Sequence, residues 1–272
     1  MIFDFSNYDQ LLPLVTNSLI VGALLAVVGG LVGVFVINRD MSFAVHGISE
    51  LSFAGASITL LIGGDVVFGS VIGSLIASLI IGVMGAKAKE RNSITAVLMP
   101  FGLGLGIMAL SLYEGRASNK FGLLTGQIVA VDEPQLVSIS ILSVVVIATL
   151  LIIWRPLTFA SLDVEVASAR GVPTRTLSIV FMLLLGLSVA ASIQVVGALL
   201  VLSLLVTPAA AAVRVSTSPF VIPMLSVLFA GISVVGGIVL ALGSSLPVSP
   251  YVTSISFLIY LVCRGVEWVK NR

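Results

Sequence analysis

The stretch MSFAVHGISELSFAGA, residues 41–56, decides how the rest of the chain is interpreted. It contains His46, the only histidine of the protein, and Glu50 four residues later. A spacing of four places both side chains on one face of a helix, about one turn apart. From Leu51 to Gly64 no residue is charged, so this helix is predicted to lie in a membrane. An imidazole and a carboxylate that converge on one point suit a divalent transition metal.

A plainer interpretation of this stretch is that His46 and Glu50 pair with each other or cap a helix end. We favour the metal site because a charged carboxylate inside a bilayer costs about 3 kcal/mol on insertion scales. Ionisable residues are retained at such a cost where they serve a function. His46 and Glu50 are therefore the predicted metal ligands.

The composition indicates a polytopic membrane protein. Of 272 residues, 58% are hydrophobic and 9% are charged, and the mean hydropathy is +1.23. A soluble domain rarely carries so little charge. The formal net charge of +1 gives no indication of a nucleic-acid partner, and the single cysteine, Cys263, excludes an internal disulfide. The N-terminal residues lack a basic region and a cleavage site, so no cleaved signal peptide is predicted.

Charged residues divide the chain into apolar runs, and about 20 apolar residues suffice to cross a bilayer. The fifth run is expected to end at Arg155 and Pro156, and the 38 uncharged residues of 176–213 to divide near Ser192–Gln194. An eight-span version, with one segment re-entrant, remains open. The fold class is therefore all-α: a polytopic transmembrane bundle of eight or nine spans, forming one permease domain over residues 1–272. The nine predicted spans are 11–37, 45–63, 66–86, 93–113, 135–154, two within 176–213, 219–243 and 250–263.

The lysine and arginine residues predict the orientation. With nine alternating spans, 11 of the 13 basic residues fall on one side, and only Arg116 and Lys120 on the other. The basic side is cytoplasmic by the positive-inside rule, so the C-terminus is predicted to be cytoplasmic and the N-terminus outside. At a rise of about 1.5 Å per residue from Arg39, Glu50 lies about 16 Å deep, near the midplane. The polar connection 114–133 is predicted to be an external surface or re-entrant segment.

A second motif lies on the basic side, at residues 160–174, ASLDVEVASARGVPT. Ser161 or Asp163 can cap a short helix whose positive first turn would hold Glu165. Gly171 fits the left-handed position after the last turn, and Pro173 prevents continuation. The pattern predicts a short amphipathic helix, although an ordinary interfacial connection has the same features. Its small residues, such as Ala167 and Ala169, would dock into a groove of a partner.

These motifs resemble, in order, those of the permease subunits of ATP-binding-cassette importers for zinc, manganese or iron. The similarity covers nearly the whole chain. One departure concerns the metal pair, because the family commonly has aspartate at the position of His46 and histidine at that of Glu50. The ligand types are kept in swapped order. The stretches that carry the resemblance are RDMSF at 39–43 with its continuation to residue 56, DVEVASARGVP at 163–173, VVGALLVLSLLVTPAAAA at 195–212 and LPVSP at 246–250.

The resemblance implies a location in the plasma membrane and a set of partners. These are a cytoplasmic ATP-binding subunit, an extracytoplasmic metal-binding protein and a second permease copy, together with membrane lipid. The metal ion would be transported cargo, with no permanently bound cofactor. Segment 160–174 would be the coupling helix that contacts the ATPase. The coupling residues implied are Asp163, Glu165, Ala167, Ala169, Arg170 and Gly171.

The residues alone also argue for a second copy and against an enzyme. One chain supplies two ligand side chains, whereas two copies across a two-fold axis supply four, which argues for a homodimer or a pseudo-symmetric heterodimer. No glycine-rich phosphate loop of the type GxxxxGK[ST] is present, so ATP hydrolysis is expected in a separate subunit. Two other functions stay open at this point. One is an ion-coupled secondary transporter in which Glu50 carries a proton and His46 tunes it, and the other is a permease for a metal chelate such as a siderophore.

Overall fold

The computed structural model describes residues 15–85, 88–115, 123, 131–198, 201–243 and 247–270. In these residues the chain forms eleven α-helices and no β-strand, as the all-α prediction requires. A helix satisfies all backbone hydrogen bonds within one segment, which a lipid environment demands. The helices are α1 Thr16–Asn38, α2 Ser42–Leu61, α3 Val66–Met84, α4 Ala88–Leu112, α5 Glu133–Leu162, α6 Val164–Ala169, α7 Thr174–Val196, α8 Val201–Leu205, α9 Thr207–Val215, α10 Val221–Leu242 and α11 Val248–Lys270.

Eight helices in the described part of the chain are long and apolar enough to cross a membrane: α1, α2, α3, α4, α5, α7, α10 and α11. Most of their ends lie within a few residues of the predicted spans. Most of the external connection predicted at 114–133 falls outside the described residues.

The prediction that the fifth span ends at Arg155 and Pro156 is wrong, because α5 continues through Pro156 to Leu162. Proline removes one backbone donor, which a helix tolerates where neighbouring groups compensate. Leu157 is fully buried beyond the proline, so contacts with the bundle hold the last turns in place.

The last span is also longer than predicted, because α11 does not end at Arg264. Arg264 Nη1 lies 2.8 Å from Glu267 Oε2, one turn further on, and Arg214 Nη1 of α9 lies 3.3 Å from Glu267 Oε1. These charges continue the helix beyond its apolar part and join it to α9. Charge marks where the apolar run ends but does not end the helix.

The two short helices α8 and α9 form a further, broken crossing of the bundle. Two side-chain hydrogen bonds join this segment to α11, and a third joins the end of α7 to α11. In each the partners are 53 residues apart, so the chain from Val196 to Arg214 runs parallel to α11. The chain therefore traverses the bundle a ninth time, and the division lies at Gly197 (φ 84°), slightly beyond the predicted 192–194. The hydrogen bonds are Ser249 Oγ to the Val196 carbonyl, Ser256 Oγ to the Ser203 carbonyl and Arg214 Nη1 to Glu267 Oε1.

Helix α2 occupies the centre of one half of the bundle, between α3 and α4. A Cβ atom at Gly55 of α2 would collide with the backbone of Gly69, and one at Gly73 with the Leu51 carbonyl. On the other side, a Cβ atom at Gly102 of α4 would meet the backbone of Glu50. Small residues thus bring the three backbones close together, as is usual for helices in lipid. Most residues in the middle of α2 are therefore buried between the neighbouring helices.

Many of the charged residues lie together at one end of the helix bundle. We call the end of the bundle at which α1 finishes and α2 begins the basic end. The side chain of Arg39 there contacts Ser161 at the end of α5 and Ser178 near the start of α7. Because α1 begins and α11 finishes at opposite ends, the termini of the described chain lie on opposite faces. The arginines of the basic end include Arg39, Arg91, Arg175, Arg214 and Arg264.

The broken crossing predicts a specific sensitivity at Gly33 of α1. A Cβ atom there would collide with the carbonyl of Leu205, the last residue of α8. We expect Gly33→Ala to destabilise the protein by about 1–3 kcal/mol, as overpacking does. The matched control is Gly231→Ala in α10, where a Cβ atom meets nothing within 4 Å. Thermal unfolding of the purified protein measures both, and equal unfolding temperatures for the two variants would contradict this contact.

Candidate metal-ion site

The two predicted ligands lie in the middle of α2. Glu50 is the ninth of the 20 residues of this helix and is only 3% exposed. His46 lies one turn nearer the basic end, and 28% of its side chain is exposed. The structure thus brings both predicted residues together, with the carboxyl group buried and the imidazole partly accessible.

The distance between the two side chains leaves space for an ion. His46 Nε2 lies 3.8 Å from Glu50 Oε1, which exceeds the length of about 2.7–3.2 Å for a hydrogen bond. Two donors at about 2.1 Å from a tetrahedral metal lie about 3.4 Å apart. A small rotation of either side chain would therefore let both atoms reach one ion.

The second carboxyl oxygen of Glu50 has no partner. Glu50 Oε2 is buried and forms no hydrogen bond within the described part of the chain. A helix-capping role is absent as well, because α2 is bounded by Met41 and Ile62. Pairing with His46 across 3.8 Å engages only Oε1 and leaves Oε2 without a partner. A buried oxygen acceptor without a donor is the chemistry that a cation satisfies.

In the part of the chain that the structure describes, His46 and Glu50 are the two candidate ligands at this position. Among the described residues, no group of three or more His, Cys, Asp and Glu side chains could hold a metal ion. A divalent ion takes four to six donors, so the remaining ones have to be water or another molecule.

A cluster of neutral polar groups begins two residues beyond Glu50 on α2, towards the end of the helix opposite the basic end. Ser52 Oγ donates to the Ser70 carbonyl over 2.9 Å, and Gln194 Nε2 donates to Ser70 Oγ over 3.0 Å. Sequence reasoning did not assign these residues to a site. The available signal was that Gln194 is the only amide side chain in a run of 38 residues without charge.

The predicted second motif forms the short helix α6 at the basic end. Asp163 is its N-cap, and its Oδ1 accepts a hydrogen bond of 2.9 Å from the backbone N–H of Val166. Gly171 has the predicted left-handed conformation, with φ 80°. The helix itself is shorter than 160–174, because residues up to Leu162 belong to α5.

The burial of α6 side chains corrects one part of the prediction. Ala167 is fully buried against Ala160 of α5 and Leu177 of α7, so its methyl group faces the protein's own bundle and cannot enter a groove of a partner. A docking surface would consist of the side chains that α6 exposes. The exposed residues are Asp163, Val164, Glu165, Val166, Ser168, Ala169 and Arg170, with Gly171 following.

Comparison with known proteins gives one family. The family model described as "ABC 3 transport family" matches residues 11–266. The manganese transport system membrane protein MntC of Halalkalibacterium halodurans is 29% identical over 234 residues, covering 85% of this chain and 80% of the relative. The high-affinity zinc uptake system membrane protein ZnuB of Haemophilus influenzae is 26% identical over 227 residues, covering 82% of this chain and 86% of the relative.

A solved structure has the same fold. It is described as PsaBC from Streptococcus pneumoniae in complex with Fab, and it matches with a TM-score of 0.83 and 24% identity. The match covers 94% of this chain and 92% of the solved one. Together with the eight apolar helices, these relatives identify the chain as a multi-pass membrane protein.

The unpartnered carboxyl group predicts an unusual effect on stability. A buried oxygen acceptor without a donor costs free energy, so replacing this side chain with an apolar one of similar size removes that cost. In the presence of a chelator, Glu50→Met should therefore unfold at the same temperature as the wild type or at a higher one. Glu267→Met is the control, because it removes the partner of two arginines and should not stabilise the protein. A clear loss of stability in Glu50→Met would reveal a structural role for Glu50.

Proposed function

The chain belongs to the ABC 3 transport family, and we propose that it is a permease subunit that moves a divalent transition-metal ion, Mn, Zn or Fe, into the cytoplasm. The proposed cargo site rests on the surroundings of Glu50. Its carboxyl group is buried halfway along a membrane-spanning helix, one oxygen has no partner, and His46 Nε2 lies 3.8 Å from the other. Substrate sites near the midplane of a helical bundle are typical of transporters.

The donor types limit the cargo to a class of ions. One imidazole and one carboxylate form a set that accepts Mn, Fe and Zn, and binding strength rises along that series. The related MntC and ZnuB are named for manganese and for zinc, which agrees with this breadth. Two donors alone do not select among these metals, so the class of ion is the level at which the residues specify the substrate.

A second permease copy would complete the site. Two copies related by a two-fold axis bring two histidines and two carboxylates together, which matches the needs of a four-coordinate ion. The partial exposure of His46 supports this arrangement, because its side chain remains accessible from outside its own chain. Water can occupy further coordination positions in either case.

Energy would come from a separate ATP-binding subunit that docks at the basic end. The sequence contains no phosphate-binding loop. Helix α6 supports the docking because it is capped at Asp163, anchored by Ala167 and exposed on its remaining sides. A capped and anchored helix transmits a displacement to α5 and α7 better than a loop does. On the opposite face, an extracytoplasmic metal-binding protein would deliver the ion.

The site assignment predicts the effect of substitutions on transport. We expect Glu50→Gln and His46→Ala each to lower metal uptake by about tenfold or more, since even outer-shell changes cost about 10–100-fold in metal affinity. Glu133→Gln is the matched control, because this carboxylate lies in the exposed first turn of α5, away from the site. Uptake of radioactive Mn or Zn in cells with normal levels of each variant is the measurement. Wild-type uptake in both site variants would refute the assignment.

The coupling role of α6 predicts a separable defect. Ala169→Glu places a charge on the exposed side of this helix and should abolish co-purification of the ATPase, while metal still stabilises the permease thermally. Thr217→Glu is the control, because Thr217 is exposed on another connection at the basic end. Loss of ATPase binding in Thr217→Glu alone would move the coupling contact to that connection.

The same experiments separate the proposed function from an ion-coupled transporter. ATP-driven uptake should survive collapse of the proton gradient and should stop when ATP is depleted. Uptake that follows the proton gradient instead would favour Glu50 as a proton carrier. A permease for a metal chelate would transport the siderophore complex in preference to the free ion.

The orientation is a further prediction. The C-terminus and the basic end should be cytoplasmic, because this end carries most of the basic residues. Single cysteines at positions 65 and 133, in a Cys263→Ser background, should react with an impermeant maleimide on intact cells. Cysteines at positions 89 and 170 should react only after permeabilisation, and their labelling on intact cells would reverse the orientation.

A further inference from the structure

A cavity of about 210 Å³ at the basic end has a strongly cationic wall. It lies where the ends of α3 and α5 meet the starts of α6 and α7. Arg39, Arg91 and Arg175 line it, and none of its lining residues is acidic. The volume corresponds to that of several water molecules, each of which takes about 30 Å³ in the liquid. A cavity of this size can hold a tetrahedral anion.

Arg39 lines this cavity, and the groups that contact its guanidinium group are neutral. Its Nη1 donates to Ser161 Oγ over 3.3 Å, its Nη2 donates to Ser178 Oγ, and its guanidinium carbon lies 5.8 Å from the centre of the Phe181 ring. Its Nε is buried without a hydrogen-bond partner. Burial, and then the positive charge of Arg91, lower the pKa of Arg39 below its ordinary value. An anion would relieve both effects.

Arg91 is more deeply buried, with only 7% of the residue exposed. Its Nη2 donates to the carbonyls of Arg39 over 3.1 Å and Asp40 over 3.0 Å, just after α1 ends. Its Nε is buried and unpartnered. The carboxylate of Asp40 attracts Arg91 electrostatically. Even so, the ion pairs found within 4 Å in the described part of the chain involve neither Arg91 nor Arg39.

The third wall of the cavity is the start of α7. This helix has 23 residues, no side chain caps its N-terminus, and its first residue, Thr174, lines the cavity together with Arg175. The N-terminus of a long helix carries a partial positive charge and favours anions. This partial positive charge adds to the positive charge of the three guanidinium groups that line the cavity.

We propose that this cavity is a binding site for a phosphate group, supplied by the head group of an anionic lipid or by free phosphate. Guanidinium groups form paired hydrogen bonds with phosphate oxygens, and the three arginines Arg39, Arg91 and Arg175 line this cavity. Because two buried like charges repel each other, a phosphate would bind more strongly than water. Basic cavities between helices at the cytoplasmic boundary are where anionic head groups bind, so the proposed orientation favours the lipid as the source.

An occupant would connect the parts of the bundle that meet at the coupling helix. Arg39 belongs to the connection between α1 and α2, Arg91 to α4 and Arg175 to α7, while Val164 of α6 also lines the cavity. A phosphate bound by all three arginines would therefore stabilise the position of α6 relative to the helix that carries His46 and Glu50.

The test uses thermal unfolding of the purified full-length protein in a neutral detergent. Four conditions are compared: phosphatidylglycerol, phosphatidylcholine, sodium phosphate, and sodium chloride at equal ionic strength. The variants are Arg175→Gln, which alters an exposed residue and should fold, and Arg39→Gln. The matched control is Arg155→Gln, an exposed arginine of α5 that does not line the cavity.

We expect phosphatidylglycerol or phosphate to raise the unfolding temperature of the wild type and of Arg155→Gln by about 3 °C or more, relative to the other two conditions. The increase should be lost in Arg175→Gln and Arg39→Gln. An effect of phosphatidylglycerol alone identifies the lipid as the source, and an equal effect of sodium phosphate identifies the free anion.

Three results would overturn the proposal. The first is no increase in the wild type with either anion. The second is an equal loss in Arg155→Gln, which would indicate general surface charge. The third is a normal response of Arg175→Gln and Arg39→Gln to phosphatidylglycerol or phosphate, which would place the bound anion outside this cavity.

Discussion

The close approach of α2 to α3 and α4 is the contact on which the rest of this half of the bundle depends. Glycines at the crossings remove the side chains that would otherwise separate the backbones, so a helix with a polar residue at its centre is surrounded on two sides by protein. In lipid, helices gain little from hydrophobic association, and close van der Waals contact replaces it. The same contacts confine Glu50 to a position where it has little access to water.

In this arrangement the candidate metal site contains a buried polar group that is energetically unfavourable. A carboxyl oxygen without a donor is unfavourable in an apolar interior, and the surrounding glycine contacts keep Glu50 there. In the proposed transport role, a bound ion would lower this cost. Two candidate ligands from one chain would hold the ion less tightly than a full set would, which suits a cargo that has to be released.

The basic end is organised differently, by arginines that bridge helices through neutral acceptors. Arg39 connects α1 with α5 and α7, and Arg91 connects α4 with the end of α1. Among the described residues, the ion pair that joins two helices at this end is the one between Arg214 and Glu267. The buried cations therefore position the start of α2, which carries the candidate metal ligands, and leave positive charge facing the cavity beside α6.

The sequence by itself determined the membrane class, the helical content, the position of His46 and Glu50 on one face of a helix, and the caps of α6. Each of these follows from local quantities: the length of apolar runs, a spacing of four residues, and the preferences of Asp163 and Gly171. The helix ends were predicted less accurately. Pro156 and Arg264 have the local features of residues that end a membrane helix, but contacts with distant residues extend both helices past them.

Only the tertiary structure decided which side chains are partnered. The buried face of α6, the unpartnered oxygen of Glu50 and the meeting of Arg39 with Arg91 all depend on residues far apart in the chain, whose distances no periodicity contains. The broken crossing of α8 and α9 is of the same kind. The sequence predicted two crossings within 176–213, but the break into two short helices and their alignment with α11 appear only in the hydrogen bonds that join them to it.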